Sequence, residues 1–285
     1  MKLSKNDVPP HLRNLKRRIS AECRVAWAFN PALRPPVLVY QMGKVGSSTV
    51  LATLQGRLPR RRALQVHFLS GELPQIAAFM REHGNEVLPD HIFLGEAIRR
   101  REIVDCPVVS LVRDPISHVV SDLFQNPEFA NARVRRATGE FDVEAVHSYL
   151  NGELRKKSTF EYINTWFDRE LRQVFGIDVF SSAFDTENGF TVYTAGRCRA
   201  LVVRTEDLSS AGPQALKGFL GLGKPPTIRQ ANERAKGTGA SEYKQVRKML
   251  KLEREVIERI YQSRFSRHFW SPDQLERMVT RWEKG

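Results

Sequence analysis

Residues Val37–Leu51 read VLVYQMGKVGSSTVL. The stretch opens on a short apolar run, Val37–Tyr40, the pattern of a buried strand. A tight loop follows, Met42-Gly43-Lys44-Val45-Gly46-Ser47-Ser48, whose glycines let the backbone turn sharply and come close to a ligand. Val50, Leu51 and Leu54 then recur at helical spacing, with Ser47 and Ser48 as the candidate N-caps. A strand, a Gly-rich loop and a helix start gather N–H groups at the positive end of a helix dipole, a site for phosphate or a similar anion. Gly43, Lys44, Val45, Gly46, Ser47, Ser48 and Thr49 are therefore the candidate anion-binding residues, Lys44 adding a mobile point charge. The loop is not a Walker A motif, in which Lys follows the second Gly of G-x-x-x-x-G-K-[ST]. Here Lys44 precedes Gly46.

The chain around this stretch alternates strands and helices. Ala63–Phe68 (ALQVHF) predicts a second strand, and Pro107–Val112 (PVVSLV) is a continuous apolar run typical of a central parallel strand. Helical spacing marks Leu73–Glu82, Asp90–Arg101, Phe141–Leu154 and Ser158–Phe175. Phe190–Thr194 and Ala200–Val203 predict later strands. Pro213–Leu220, a long helix Tyr243–Phe265, and Pro272–Trp282 capped by Ser271 close the chain. The alternation predicts an α/β fold with a central parallel sheet flanked by helices. Ligands of such sheets sit at the carboxyl ends of the strands.

At the end of the Pro107–Val112 strand the sequence reads Arg113-Asp114-Pro115. Asp114 suits an N-cap and Pro115 the first helical position. Ser121 lies two turns along that helix, eight residues after Arg113. Both are able to reach one anion, and the fixed fork of the Arg113 guanidinium suits a phosphate.

Two motifs in this order, Lys44-Val45-Gly46-Ser47-Ser48 and Arg113 with Ser121 in a strand-RDP-helix context, resemble the sulfotransferases that use 3′-phosphoadenosine 5′-phosphosulfate (PAPS). Ala200–Leu208 (ALVVRTEDL) resembles a late strand and turn of the same family. Asn232–Tyr243 (NERAKGTGASEY) is similar to the late loop that closes over the nucleotide. From Gln41 onward, QVHFLS, RDPISHVVSDLFQN, WFDREL and GIDVF are similar to bacterial proteins labelled as capsular polysaccharide synthesis proteins.

The resemblance implies a P-loop-like sulfotransferase fold, PAPS as sulfuryl donor, no metal, and a glycan or glycolipid acceptor of the cell surface or capsule. It also implies Lys236 and Gly237 at the 3′-phosphate and Lys44 at the leaving phosphate. His67, near the end of the second strand, is the first candidate for the base, and QVHFL resembles a histidine-bearing segment of glycan sulfotransferases. His91 and Glu96 stay open as alternatives. His118 is read as structural, and Trp166, Phe167 and Asp168 as candidate walls of an acceptor cleft. Arg133, Arg135 and Arg136 form a basic stretch suited to an acidic glycan or simply to solvent.

The net charge of +13 over 285 residues favours an anionic partner. Nucleic acid is the least supported, because zinc-finger, RNA-binding and helix-turn-helix patterns are missing. No apolar run is long enough to span a bilayer, and the three scattered cysteines form neither a disulfide framework nor a zinc spacing. These features fit a cytoplasmic protein, peripheral at most at the inner membrane face. Residues 1–34 form a basic arm before a single domain over 35–285. In the arm, Leu12, Leu15, Ile19, Cys23 and Trp27 recur at helical spacing among basic residues. This amphipathic helix is expected to pack on its own domain or a partner subunit, with an anionic membrane surface as the alternative. Two rival functions stand beside sulfuryl transfer: a P-loop-type nucleotide-dependent kinase, and a non-catalytic basic membrane-surface or scaffold protein.

Overall fold

The computed structural model describes residues 8–58, 62–101, 106–125, 134–229 and 240–284. Val37–Tyr40 is the expected strand, β1, and all four of its residues are buried. In chain order the elements before and around it are α1 (Pro10–Ala28), β1, α2 (Ser47–Gln55), β2 (Ala63–Val66), α3 (Leu73–Glu82), α4 (Asp90–Arg99), β3 (Val108–Val112) and α5 (Pro115–Gln125). There follow α6 (Val143–Leu154), α7 (Glu161–Trp166), α8 (Gln173–Phe175), β4 (Phe190–Ala195), β5 (Cys198–Arg204) and α9 (Gly212–Leu220). The C-terminal helices are α10 (Ala240–Met249), α11 (Arg254–Tyr261), α12 (Arg264–Phe269) and α13 (Pro272–Lys284).

The five strands form one sheet in the order β2-β1-β3-β5-β4. The first four are parallel. The expected central sheet is thus mostly parallel, and only at one edge do β4 and β5 form an antiparallel hairpin; two residues connect them, too few for a crossover. The chain steps from β1 outward to β2 and then returns to the other side of β1 for β3. Strand order therefore reverses between β1 and β3, and in open α/β sheets the ligand crevice lies at such a point, outside the carboxyl ends of the strands. The loop after β1 and Arg113 after β3 flank it.

Three predicted elements end differently, each for a physical reason. The second strand stops at Val66, because His67 turns its ring to the Gln41 carbonyl and gives its own carbonyl to Trp166 Nε1. The expected helix Ser158–Phe175 is a 3₁₀ turn, α7, a π-helical segment Phe167–Arg172 and α8. The widened π turn buries Phe167, Glu170 and Leu171 together. The buried Glu170 carboxylate accepts from Tyr40 Oη, Ser70 Oγ and the backbone N–H groups of Leu69 and Ser70. The expected single helix Tyr243–Phe265 is three helices. The chain leaves the helix after Met249, and Leu252 N–H donates to the Trp282 carbonyl at 3.0 Å instead of continuing the ladder; Ser263 then caps α12 through Ser266 N–H.

The basic arm forms the expected helix, α1, and packs on its own domain against α4; the face differs, for Ala21, Val25 and Ala28 are its buried residues, opposite the apolar stripe.

Asp114 ties the start of α5 to the C-terminal helices. As predicted it caps α5, accepting from Ile116 N–H at 3.1 Å. The buried carboxylate also accepts from Ser117 Oγ at 2.7 Å, Tyr261 Oη at 2.9 Å and Trp282 Nε1 at 3.2 Å. Asp114→Ala strands these donors, and the expected loss is on the order of 3 kcal/mol in urea unfolding. Trp282→Phe, which removes one donor, is expected to cost about half as much.

Candidate functional site

The loop between β1 and α2 has few backbone bonds of its own, and side chains from the neighbouring elements hold its carbonyls. Gln41 C=O accepts from His67 Nδ1 at 2.7 Å. Gly43 C=O accepts from His118 Nε2 on α5 at 2.8 Å. Lys44 C=O accepts from Arg113 Nη1 at 2.9 Å. Val45 C=O accepts from Thr205 Oγ1 at 2.6 Å, and the same hydroxyl reaches Val112 C=O at 2.9 Å. A trans peptide points its C=O and N–H in opposite directions. Pinning the carbonyls of Gly43, Lys44 and Val45 to the protein thus turns the N–H groups of Lys44, Val45 and Gly46 away from those donors. That is the construction of an anion nest. Gly43 N–H takes a different partner, the Tyr162 hydroxyl at 3.3 Å.

The backbone conformation continues this construction. Lys44 has φ +64° and Gly46 φ +95°. Gly46, not Ser47 or Ser48, occupies the cap position of α2, and no side chain caps the helix. The expected serine cap is therefore wrong: Ser47 is the first helical residue and its Oγ accepts from Gln65 Nε2 at 3.0 Å. The Gly46 carbonyl accepts from Thr49 N–H at 3.0 Å and from Val50 N–H at 3.4 Å, which starts the helix. Lys44 Nζ lies 3.6 Å from Asp122 Oδ1 on α5. Arg113 Nη2 also reaches Tyr243 Oη at 3.4 Å, so the guanidinium bridges the loop and α10.

Three imidazoles lie around the loop, His118 buried and His67 and His91 half-buried. A carbonyl only accepts, so Nδ1 carries the proton in His67 and Nε2 in His118. The remaining basic atom of His67 is Nε2. Burial, with the charge of Lys44 adding to it, pushes His67 down to about 4 and His118 to about 4. His91, its ring centroid 4.6 Å from that of His67, is pushed by burial, His67 and Lys44 to about 3. All three are neutral at neutral pH and lie in the field of Lys44. Beside them Gln41 is buried, and neither atom of its amide has a hydrogen-bond partner among the described residues.

A cleft of about 390 Å³ adjoins the loop. Phe68, Ile76, Phe79, Met80, Tyr162 and Trp166 give it a mainly apolar wall. Tyr162 and Asp122 belong both to this wall and to the loop's contacts. Arg169, on the rim, is bound to Glu72, Nε to Oε2 at 2.8 Å.

The structure thus gathers Gly43, Lys44, Val45, Gly46, Arg113 and His67 at one place, with His91 against His67. Ser121 is half-buried on α5, next to Asp122. Ser48 and Thr49 lie in the first turn of α2. Glu96 is not brought to the loop; it pairs with Arg18 of α1 at 3.6 Å. Of the three expected wall residues only Trp166 lines the cleft, for Phe167 is core and Asp168 is paired with Arg264. Arg135 and Arg136 lie in a turn closed by the Arg135–Phe141 bridge. Lys236, Gly237 and Arg133 lie outside the described residues. Tyr162 had no motif to mark it, Asp122 and Thr205 lie within RDPISHVVSDLFQN and ALVVRTEDL without being singled out there, and His118, read as structural, donates to the loop itself.

Residues 141–271 match the model of the NKWYS family, described as "Putative capsular polysaccharide synthesis protein". That description points to a glycan-related role in capsule synthesis. The match is narrower than the likeness expected from residue 41 onward, and it leaves out Lys44, His67, Arg113 and Ser121. No curated protein and no solved structure matches the chain.

Two measurements probe this geometry. A His held below its unfolded pKa binds fewer protons folded than unfolded, so its stabilisation is present above pH 6.5 and is lost as pH falls toward 4. With His67, His91 and His118 all lowered, unfolding titrations are expected to show stability falling through that window, by roughly 1.4 kcal/mol per pH unit for each His still neutral. His118→Asn is expected to flatten the slope. Lys44 sits in the left-handed region, which costs a non-glycine residue roughly 1 kcal/mol. Lys44→Gly is therefore expected to be about 1 kcal/mol more stable than Lys44→Ala by urea unfolding, although both lose the same ammonium group.

Proposed function

We propose that the protein is a PAPS-dependent sulfotransferase, of the P-loop-like kind, that moves a sulfuryl group to a hydroxyl of a glycan or glycolipid acceptor. The observation that carries this reading is the convergence at the β1/β3 crevice: a loop whose carbonyls are tied back, an uncapped helix start, and the cations of Lys44 and Arg113. The donor set suits an anion, and Asp122 is the carboxylate that Lys44 would release to it. PAPS, when bound, would supply a sulfuryl group activated as a mixed phosphate–sulfate anhydride.

Within this reading the loop N–H groups and Lys44 neutralise charge gathering on the departing phosphate. Arg113 and Ser121, with Lys236 and Gly237 by resemblance, hold the 3′-phosphate. The acceptor sits in the apolar cleft, where the faces of Trp166 and Tyr162 suit the apolar side of a sugar ring. Its oxygen forms a bond to sulfur as the bond from sulfur to the phosphate oxygen breaks, and the acceptor proton passes to His67 Nε2. An anion beside Lys44 cancels part of the field that depresses His67 and raises its basicity. His91 is the neighbour through which a substitution at His67 would be felt.

The second reading is nucleotide-dependent phosphoryl transfer, favoured by the pairing of Asp122 with the loop lysine. Calorimetric titration with adenosine 3′,5′-bisphosphate and with Mg-ATP separates the two. Binding that requires the 3′-phosphate, and that weakens roughly ten- to hundredfold in Arg113→Ala, is expected. A preference for Mg-ATP supports phosphoryl transfer, and binding of neither nucleotide sinks both.

A further inference from the structure

Eight large hydrophobic side chains are exposed among the described residues, and four of them share one face of α1. Leu12 is 45% exposed, Leu15 52%, Ile19 55% and Trp27 37%. Exposed Cys23 lies in the same stripe. The opposite face is fully used: Ala21, Val25 and Ala28 are buried, Arg17 donates to Leu88 C=O, and Asn14 bonds both Glu86 and Leu88. The helix is thus fixed on the domain with its apolar stripe turned outward.

The charges around the stripe identify what covers it. At 100° per residue, Lys16 lies within the stripe, Arg13 and Arg24 on one flank, and Arg18 on the other. The single acid of α1, Glu22, is paired with Arg100. Among the described residues Lys16 and Arg24 have no carboxylate partner. A second copy would meet this patch with the same patch and bring like charges together. An anionic surface of apolar interior meets both the stripe and its border. We propose that α1 docks flat on an anionic phospholipid bilayer, with Leu12, Leu15, Ile19 and Trp27 in the acyl boundary and Lys16, Arg13 and Arg24 at the headgroups. This is peripheral attachment, for no helix of the described residues is long and apolar enough to cross a membrane. The inference stands whether or not the protein transfers sulfuryl groups.

The test is co-sedimentation of the full chain with vesicles of phosphatidylcholine alone or with about one third phosphatidylglycerol. At least tenfold tighter binding to the anionic vesicles is expected, weakening as NaCl rises from about 0.1 to about 0.5 M. Leu15→Ser/Ile19→Ser is expected to lose about tenfold or more in vesicle binding at an unchanged melting temperature, since both side chains face solvent. Lys16→Ser/Arg24→Ser is expected to erase most of the preference for anionic lipid. Failure of the native chain to bind anionic vesicles at low salt overturns the proposal, as does binding that the Leu15→Ser/Ile19→Ser variant retains in full. Self-association in sedimentation velocity that this variant abolishes, without vesicle binding, overturns it in favour of a second copy.

Discussion

A backbone loop that leaves a buried strand and turns at once must find partners for carbonyls that no helix or sheet will take. Here Gln41, Gly43, Lys44 and Val45 are satisfied by His67, His118, Arg113 and Thr205, from beyond β2, on α5, beyond β3 and beyond β5. A buried carbonyl left unpaired costs about 1–3 kcal/mol, so this set of side chains is strongly constrained. The parallel sheet makes the arrangement feasible, because it brings the carboxyl ends of β2, β1, β3 and β5 to the same edge. The antiparallel β4 lies outside this edge and contributes nothing to the loop.

The same constraint governs the electrostatics. Two of the donors are imidazoles within the field of Lys44, and both must be neutral to be tolerated there. Each then has one N–H, spent on a loop carbonyl, and one lone pair left over. Arg113, by contrast, keeps its charge and satisfies the loop with one N–H of several. The site therefore combines two fixed cations with neutral bases, separated by the difference in how Arg and His respond to burial. Lys44 has a carboxylate close by in Asp122, at a distance and exposure where an ion pair is weak and exchangeable.

Much of this was legible in the sequence. Continuous apolar runs and a glycine pair gave β1, β3 and the turn, since those depend on local pattern, and Asp-Pro gave the start of α5. What the sequence concealed depends on packing between distant elements. Tyr162 is 119 residues from Gly43, whose N–H it accepts, and nothing in EYINTW distinguishes a loop partner from a core tyrosine. The break at Leu250–Leu252 depends on Trp282, whose carbonyl accepts from Leu252 N–H. Serines after a glycine look like N-caps until the positive φ of Gly46 takes the cap position. For α1 the periodicity and the packing on the domain were legible but the face was not: Ala21, Val25 and Ala28 are buried, while Leu12, Leu15, Ile19 and Trp27 face out.

The family match divides the site in an informative way. Residues 141–271 supply Tyr162, Trp166, Arg169 and Glu170 of the cleft and Thr205 of the loop's supports. The loop itself, Arg113 and His67 come from the part that is not matched. Glu170 joins the two halves, holding Tyr40 at the end of β1 and the backbone at Leu69 and Ser70, two residues beyond His67. The matched residues thus supply one side of the cleft, while Phe68, Glu72, Ile76, Phe79, Met80 and Asp122 come from outside the match, and the bonds of Glu170 fix how the two sides meet.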